Sequence, residues 1–198
     1  MKKKIRGVIF DLDGVVVNSP LDFQKIKKKI GLNSDEPLLE SIEKIKNPQR
    51  KKRAHQILKE EEKKAASLST LKRDVLSLFD FLERKEIKKA LVTRNNEEAV
   101  RIVLEKFDLK FDAIITREDA PPKPSREPII LACKRLKLSS EEVVLVGDYK
   151  FDIIAGKNAG VKTFLLKDRD SSFCELADVV ISSLKEIKDI ISSEGVMQ

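Results

Sequence analysis

Apolar positions along this chain follow two different rhythms, and the change between them divides it into parts. Ile5 to Phe10 is a short apolar run with β-branched residues that stops at Asp11-Leu12-Asp13-Gly14, the signature of a buried strand ending in a polar turn. From about Pro20 to Ala66 no strand signal appears. Instead Phe23, Ile26 and Ile30, then Leu38, Leu39, Ile42 and Ile45, recur at helical spacing, broken by Gly31 and by Asn47-Pro48, so the segment reads as an all-helical insertion. After Ser69-Thr70, which suits an N-cap, apolar residues at 71, 75, 78, 79 and 82 predict an amphipathic helix. A β/α alternation follows, with apolar runs at 90–93, 113–116, 143–146, 163–166 and 179–181. Strands apolar on both faces and joined by helices predict a parallel sheet covered on both sides. The expected architecture is therefore α/β: a Rossmann-like parallel sheet flanked by helices, formed by residues 1–17 and 70–198, with a small α-helical subdomain, 18–69, inserted after the first strand.

Composition narrows the class. At 198 residues with 41% apolar content, the chain can bury one core with a modest appended subdomain, but not two full-size domains. No apolar run approaches the roughly 18 residues of a membrane span. The run behind Met1-Lys2-Lys3-Lys4 is too short for a signal peptide, so a cytoplasmic location without membrane association is expected. Cys133 and Cys174 lie far apart with no Cys-x-x-Cys spacing, which argues against a zinc site or a disulfide framework. The net charge of +7 is unevenly spread, because residues 21–90 carry 19 basic and 12 acidic side chains. Lys25, Lys27, Lys28 and Lys29 form one cluster there, and Arg50, Lys51, Lys52 and Arg53 another. Such clusters suit either a solvated helix face or a nucleic-acid surface. The acidic run Glu60 to Glu62 and the 5% aromatic content favour the solvated face, so nucleic acid is not the expected partner. His55, the only histidine, reads as a surface residue of the insertion.

In a parallel sheet the chemistry lies beyond the carboxyl ends of the strands. The residues that follow each apolar run are Asp11 and Asp13 after the first, Thr93 after the second, Lys123 beyond the third, and Asp148 and Asp152 after the fourth. Four carboxylates converging on one sheet edge repel one another unless a cation neutralises them, and hard oxygen ligands favour Mg²⁺. A lysine and a hydroxyl beside them suit a phosphoryl group. Each residue also has a simpler reading. Thr93 could cap the helix starting near Asn95, Asp152 could be a first-turn acid favoured by the helix dipole, and Lys123 could be a surface lysine, though one on a loop stiffened by Pro121, Pro122 and Pro124.

At four ordered places the chain resembles the haloacid dehalogenase superfamily, in its phosphatase branch. Asp11-Leu12-Asp13-Gly14-Val15 resembles the nucleophile loop, Thr93 the Ser/Thr strand end, Lys123-Pro124 the Lys-Pro element, and Gly147-Asp148 with Asp152 the acidic metal motif. The resemblance implies Asp11 as nucleophile and Asp13 as general acid and base. It implies Mg²⁺ on Asp11, the backbone carbonyl of Asp13, Asp148 and Asp152, the last directly or through water. Thr93 and Lys123 would meet the phosphate, with Asn95 beside them. Arg94 departs from many relatives, and either adds a substrate contact or faces solvent. An acid two residues after the nucleophile favours phosphoryl transfer over dehalogenation. The helical insertion falls where the family places its cap, and this short, basic cap points to a small anionic organic phosphomonoester of the phosphoglycolate type. The implied enzyme is a Mg²⁺-dependent phosphatase, a monomer or homodimer. Two alternatives are a sugar-phosphate mutase or phosphotransferase of the same superfamily, and a nucleic-acid-binding or end-processing module using the basic cap.

Overall fold

The structure is a computed structural model that describes residues 4–167 and 173–194; residues 1–3, 168–172 and 195–198, which the sequence assigns to the core, lie outside the described residues. Its centre is a six-stranded parallel sheet of β1 (Gly7–Phe10), β4 (Lys88–Val92), β5 (Ala113–Ile115), β6 (Val143–Gly147), β7 (Lys162–Leu166) and β8 (Val179–Ile181), in the order β5-β4-β1-β6-β7-β8. The chain builds outward from β1 through β4 to β5, then returns to the other side of β1 to lay down β6, β7 and β8. The order thus reverses at β1, and the crevice beyond its carboxyl end is where such sheets bind ligands.

Alternation along the strands explains why both faces are covered. Val8, Phe10, Leu91, Val144, Val146 and Phe164 pack against α4 (Val75–Arg84), α5 (Glu97–Phe107) and α8 (Lys185–Glu194), through residues such as Leu78, Phe79, Val103 and Ile187. Ile9, Ala90, Val92 and Leu145 belong to the opposite cluster, with α6 (Glu127–Leu136) and α7 (Lys150–Asn158), through Ile129, Ala132, Leu136 and Ala155. Phe10, Phe79 and Phe111 meet ring to ring, with centroids 5.3 Å apart for Phe10–Phe79 and 5.2 Å for Phe79–Phe111. Burying such a side chain contributes about 1.5–3 kcal/mol.

Between β1 and α4 the chain forms α1 (Phe23–Ile30), α2 (Leu38–Glu43) and α3 (Pro48–Leu68). Asp22 caps α1 by accepting from the Lys25 N–H, and Gly31 closes it in the left-handed conformation. Asn47 caps α3, with Pro48 in its first turn. Ile26, Ile30, Leu38, Ile42, Ala54 and Leu58 form a third apolar cluster under these helices. The expected helix start at Ser69-Thr70 is not observed. Thr70–Leu71 is a strand, β3, paired antiparallel with β2 (Val17–Asn18), and the helix begins at Val75 behind Asp74. Two-residue strands carry no alternation to read, so apolar Leu71 was indistinguishable from a helical position. The chain therefore leaves the sheet and returns to it through one two-stranded ribbon. Among the described residues no helix is long and apolar enough to cross a membrane.

Candidate active site

The pocket that opens beyond β1 has a volume of about 620 Å³, and Asp11, Asp13, Thr93, Arg94, Asn95, Lys123, Asp148 and Asp152 all line it. Ten residues of helical layer and loop, among them Leu21, Phe23, Lys27 and Leu58, close it from the other side. Asp11 follows β1 directly, its N–H donating to the Val146 carbonyl at 3.0 Å and so extending the ladder with β6. The chain then turns on itself, with Val16 and Val17 N–H both donating to the Leu12 carbonyl. Gly14 makes this possible with a φ of 80°, and a Cβ on it would lie 1.7 Å from Asp148 Oδ2. At the end of β6, a Cβ on Gly147 would lie 2.1 Å from the Asp152 Cβ. Two carboxylates therefore occupy space that side chains at these two positions would fill.

Lys123 is 1% exposed, and its ammonium uses all three donors: Asp11 Oδ1 at 2.8 Å, Asp152 Oδ1 at 2.6 Å and the Val92 carbonyl at 2.7 Å. Burial works against its charge, but the carboxylates of Asp11 and Asp152 outweigh it and hold its pKa above the usual lysine value. Asp152 accepts from the Tyr149 N–H with its other oxygen at 3.1 Å, in a capping box at the start of α7. The first-turn acid is thus also an ion-pair partner of Lys123. Thr93 is buried and does not cap α5, whose N-cap is Asn96. Its Oγ1 accepts from the Asn95 N–H at 3.1 Å, leaving the hydroxyl hydrogen for an oxygen in the pocket. Asn95 donates to Asp13 Oδ2 at 2.6 Å. Burial raises Asp13 above the ordinary carboxylate value, against the hydrogen bonds from Asn95 and Ser19 and the charge of Lys123.

Asp11, Asp148 and Asp152 each offer an oxygen within 4.8 Å of the other two. Burial, with the nearby charge of Asp152, pushes Asp148 up to about 7. Burial also raises Asp11, and Asp152 and Asp148 add to it against the pull of Lys123. A cluster of hard oxygen donors crowded at one sheet edge fits a divalent cation such as Mg²⁺.

Arg94 lines the pocket and ties it to the helical layer. Its guanidinium donates to both Glu40 oxygens of α2 at 2.8 Å, donates to the Lys123 carbonyl, and stacks 4.8 Å from the Phe151 ring. A second contact between layers was not anticipated from sequence: buried Glu62 of α3 accepts from Arg117 and from Asn96, the residue that caps α5. Both pairs join positions more than 50 residues apart, so only a fold could reveal them. His55 lies 3.0 Å from Glu43 outside the pocket. The basic clusters mostly ride the solvated face, as Lys29–Glu61 and Lys51–Glu43 ion pairs illustrate.

The family of haloacid dehalogenase-like hydrolases matches residues 20–166. The chain belongs to this family. A haloacid dehalogenase-like hydrolase domain-containing protein of Arabidopsis thaliana is 29% identical over 97% of this chain and 86% of its own length. A putative pyrophosphatase of Clostridium perfringens is 32% identical over 80% of this chain and 82% of its own. The crystal structure of a putative haloacid dehalogenase-like hydrolase from Bacteroides fragilis superposes with a TM-score of 0.79 at 22% identity, covering 93% of this chain and 100% of that one. This likeness concerns the fold, and the six-stranded parallel sheet with helices on both faces is that of a haloacid dehalogenase-like hydrolase.

Proposed function

We propose that this hydrolase is a Mg²⁺-dependent phosphatase that hydrolyses a small anionic organic phosphomonoester through an aspartyl-phosphate on Asp11. The observation that carries the reading is the convergence of Asp11, Asp148 and Asp152 around Lys123, with Asp13 and Thr93 in the same pocket. Residues 18–69 act as the cap that covers the site and excludes water.

Asp11, Asp148 and the backbone carbonyl of Asp13 would hold Mg²⁺, with Asp152 orienting Lys123 and reaching the cation through water. When bound, the cation offsets the charge of the phosphoryl oxygens and of the crowded carboxylates. Lys123 holds Asp11 through Oδ1, so the carboxylate is fixed in one orientation before substrate arrives. A carboxylate oxygen of Asp11 forms the O–P bond as the bond from phosphorus to the leaving oxygen breaks. Asp13, held by Asn95, gives its proton to that leaving oxygen. It then takes a proton from the water that attacks phosphorus, and the Asp11–phosphorus bond breaks to release inorganic phosphate. Thr93 donates its hydroxyl hydrogen to a phosphoryl oxygen, and Lys123, whose three donors are held by Asp11, Asp152 and the Val92 carbonyl, contributes its positive charge beside the phosphoryl group.

Purified protein assayed for phosphate release against a phosphomonoester panel with Mg²⁺ tests this. Asp11→Asn is expected to abolish release while the circular dichroism and melting temperature stay near wild type, because a neutral amide cannot form the acyl-phosphate. If no panel member releases phosphate while sugar phosphates are interconverted, the acceptor is not water and the hydrolase reading is overturned.

A further inference from the structure

Phosphate chemistry accounts for one side of the pocket, and its groups all come from the core. The opposite side holds one buried cation, Lys27 of α1, which is 5% exposed. Its ammonium donates to the Ser34 carbonyl at 2.7 Å, and that is its one acceptor among the described residues. A lysine ammonium carries three donors, so two remain to be used. Its neighbours in the first cluster, Lys25, Lys28 and Lys29, are exposed.

The remaining charges on the pocket wall do not neutralise it. Glu62 is taken by Arg117 and Asn96, and Glu36 is exposed and paired with Lys44. Asp35 is exposed, so its charge is screened by water. Of the other cations of the wall, Arg94 is spent on Glu40 and Lys123 on Asp11 and Asp152, and Lys72, beside the β2–β3 ribbon, is only half-buried and so stays in contact with water. Besides these charges the helical layer lines the pocket with Pro37, Leu38, Leu39 and Leu58. A buried ammonium without a counter-charge in such surroundings is costly unless an anion meets it.

We propose that Lys27 is a specificity residue that binds a second oxyanion, carried on the leaving group of the substrate. The substrate class is then a phosphomonoester or phosphoanhydride with two separated anionic ends. One end sits at Asp11 and the other at Lys27. This inference rests on the phosphatase reading above and adds the group that selects among phosphates.

Kinetics on three substrates test it: 2-phosphoglycolate, whose second anion is a carboxylate, pyrophosphate, whose second anion is a phosphate, and p-nitrophenyl phosphate, which has none. Lys27→Met keeps the length of the side chain and removes the charge; Lys27→Arg keeps the charge. For whichever doubly anionic substrate the enzyme uses, Lys27→Met should raise KM roughly tenfold or more with little change in kcat, as expected for one charge-assisted hydrogen bond. Activity on p-nitrophenyl phosphate should stay within about twofold, and Lys27→Arg should recover most of the loss. A carboxylate preference and a phosphate preference are told apart by which of the two substrates shows the effect. Equal loss on all three substrates in Lys27→Met, with a lowered melting temperature, would mean that Lys27 merely pins the loop at Ser34 and would overturn the inference. So would a wild-type preference for p-nitrophenyl phosphate. Wild-type protein inactive on every substrate would instead overturn the phosphatase reading itself.

Discussion

Gly14 shows how much of this site depends on an absent side chain. Its positive φ costs about 1–2 kcal/mol for any residue with a Cβ, and the Asp148 carboxylate stands where that Cβ would be. Gly14→Ala should therefore lose activity out of proportion to stability: at least tenfold in kcat/KM and in Mg²⁺ requirement, with a folded circular dichroism spectrum. Unchanged Mg²⁺ dependence in that variant would show that Asp148 can settle elsewhere and still serve. The residues of the acidic site were legible in the sequence because each follows an apolar run in a parallel sheet, a position that topology alone makes functional. The helical spacing of Phe23, Ile26 and Ile30 places Lys27, alone of the four lysines, on the inward face, but that this face lines a pocket opposite Asp11 only the fold reveals. Arg94 was legible as unusual but not as a tie to Glu40, because its partner lies 54 positions away.

Among the elements, α3 joins the two layers. Its first half packs with α1 and α2 through Ala54 and Leu58, while Ala66 at its far end belongs to the core cluster with α5. Glu62 and Arg117 form the buried tie at that second end. Removing one partner of a buried ion pair strands the other and costs about 3–5 kcal/mol. Arg117→Met is thus expected to destabilise by about 3 kcal/mol in urea unfolding, somewhat offset by the Asn96 hydrogen bonds that remain. Glu62→Met combined with Arg117→Met should recover most of that loss, and a double mutant as unstable as the sum of the single ones would show that no coupling exists. The sheet strands were readable from apolar runs, and α1 to α3 from helical spacing. The ribbon of β2 and β3 was not, because its stability comes from pairing Val17 with Leu71 and Asn18 with Thr70, far apart in the chain, rather than from any local pattern.

For the whole molecule, three carboxylates crowded at one sheet edge, Asp152 buried and Asp11 and Asp148 half-buried, tie stability to a cation. A ligand that binds only the folded state at about 100 times its Kd adds about 2.7 kcal/mol, or roughly 5–10 °C for a chain of this size. Mg²⁺ should raise the melting temperature by that order, and Asp148→Asn should abolish the shift. A shift of equal size in the variant would place the cation elsewhere.

The length of α3 has a further consequence. From Glu62 back to Pro48 the helix runs 14 residues, about 21 Å at 1.5 Å per residue. Once the Arg94–Glu40 pair that also ties this layer to the core has parted, a tilt of about 5° around the Asn96 contact moves the Pro48 end by about 2 Å, for an α-helix that keeps its rise. The helices that rest on that end, and Lys27 with them, would travel a comparable distance while the core end barely stirs. Admitting and gripping a substrate would then require no unfolding and no long flexible linker, only the parting of one ion pair, Arg94–Glu40, and a change of angle at a fulcrum made of one carboxylate, one amide and one guanidinium.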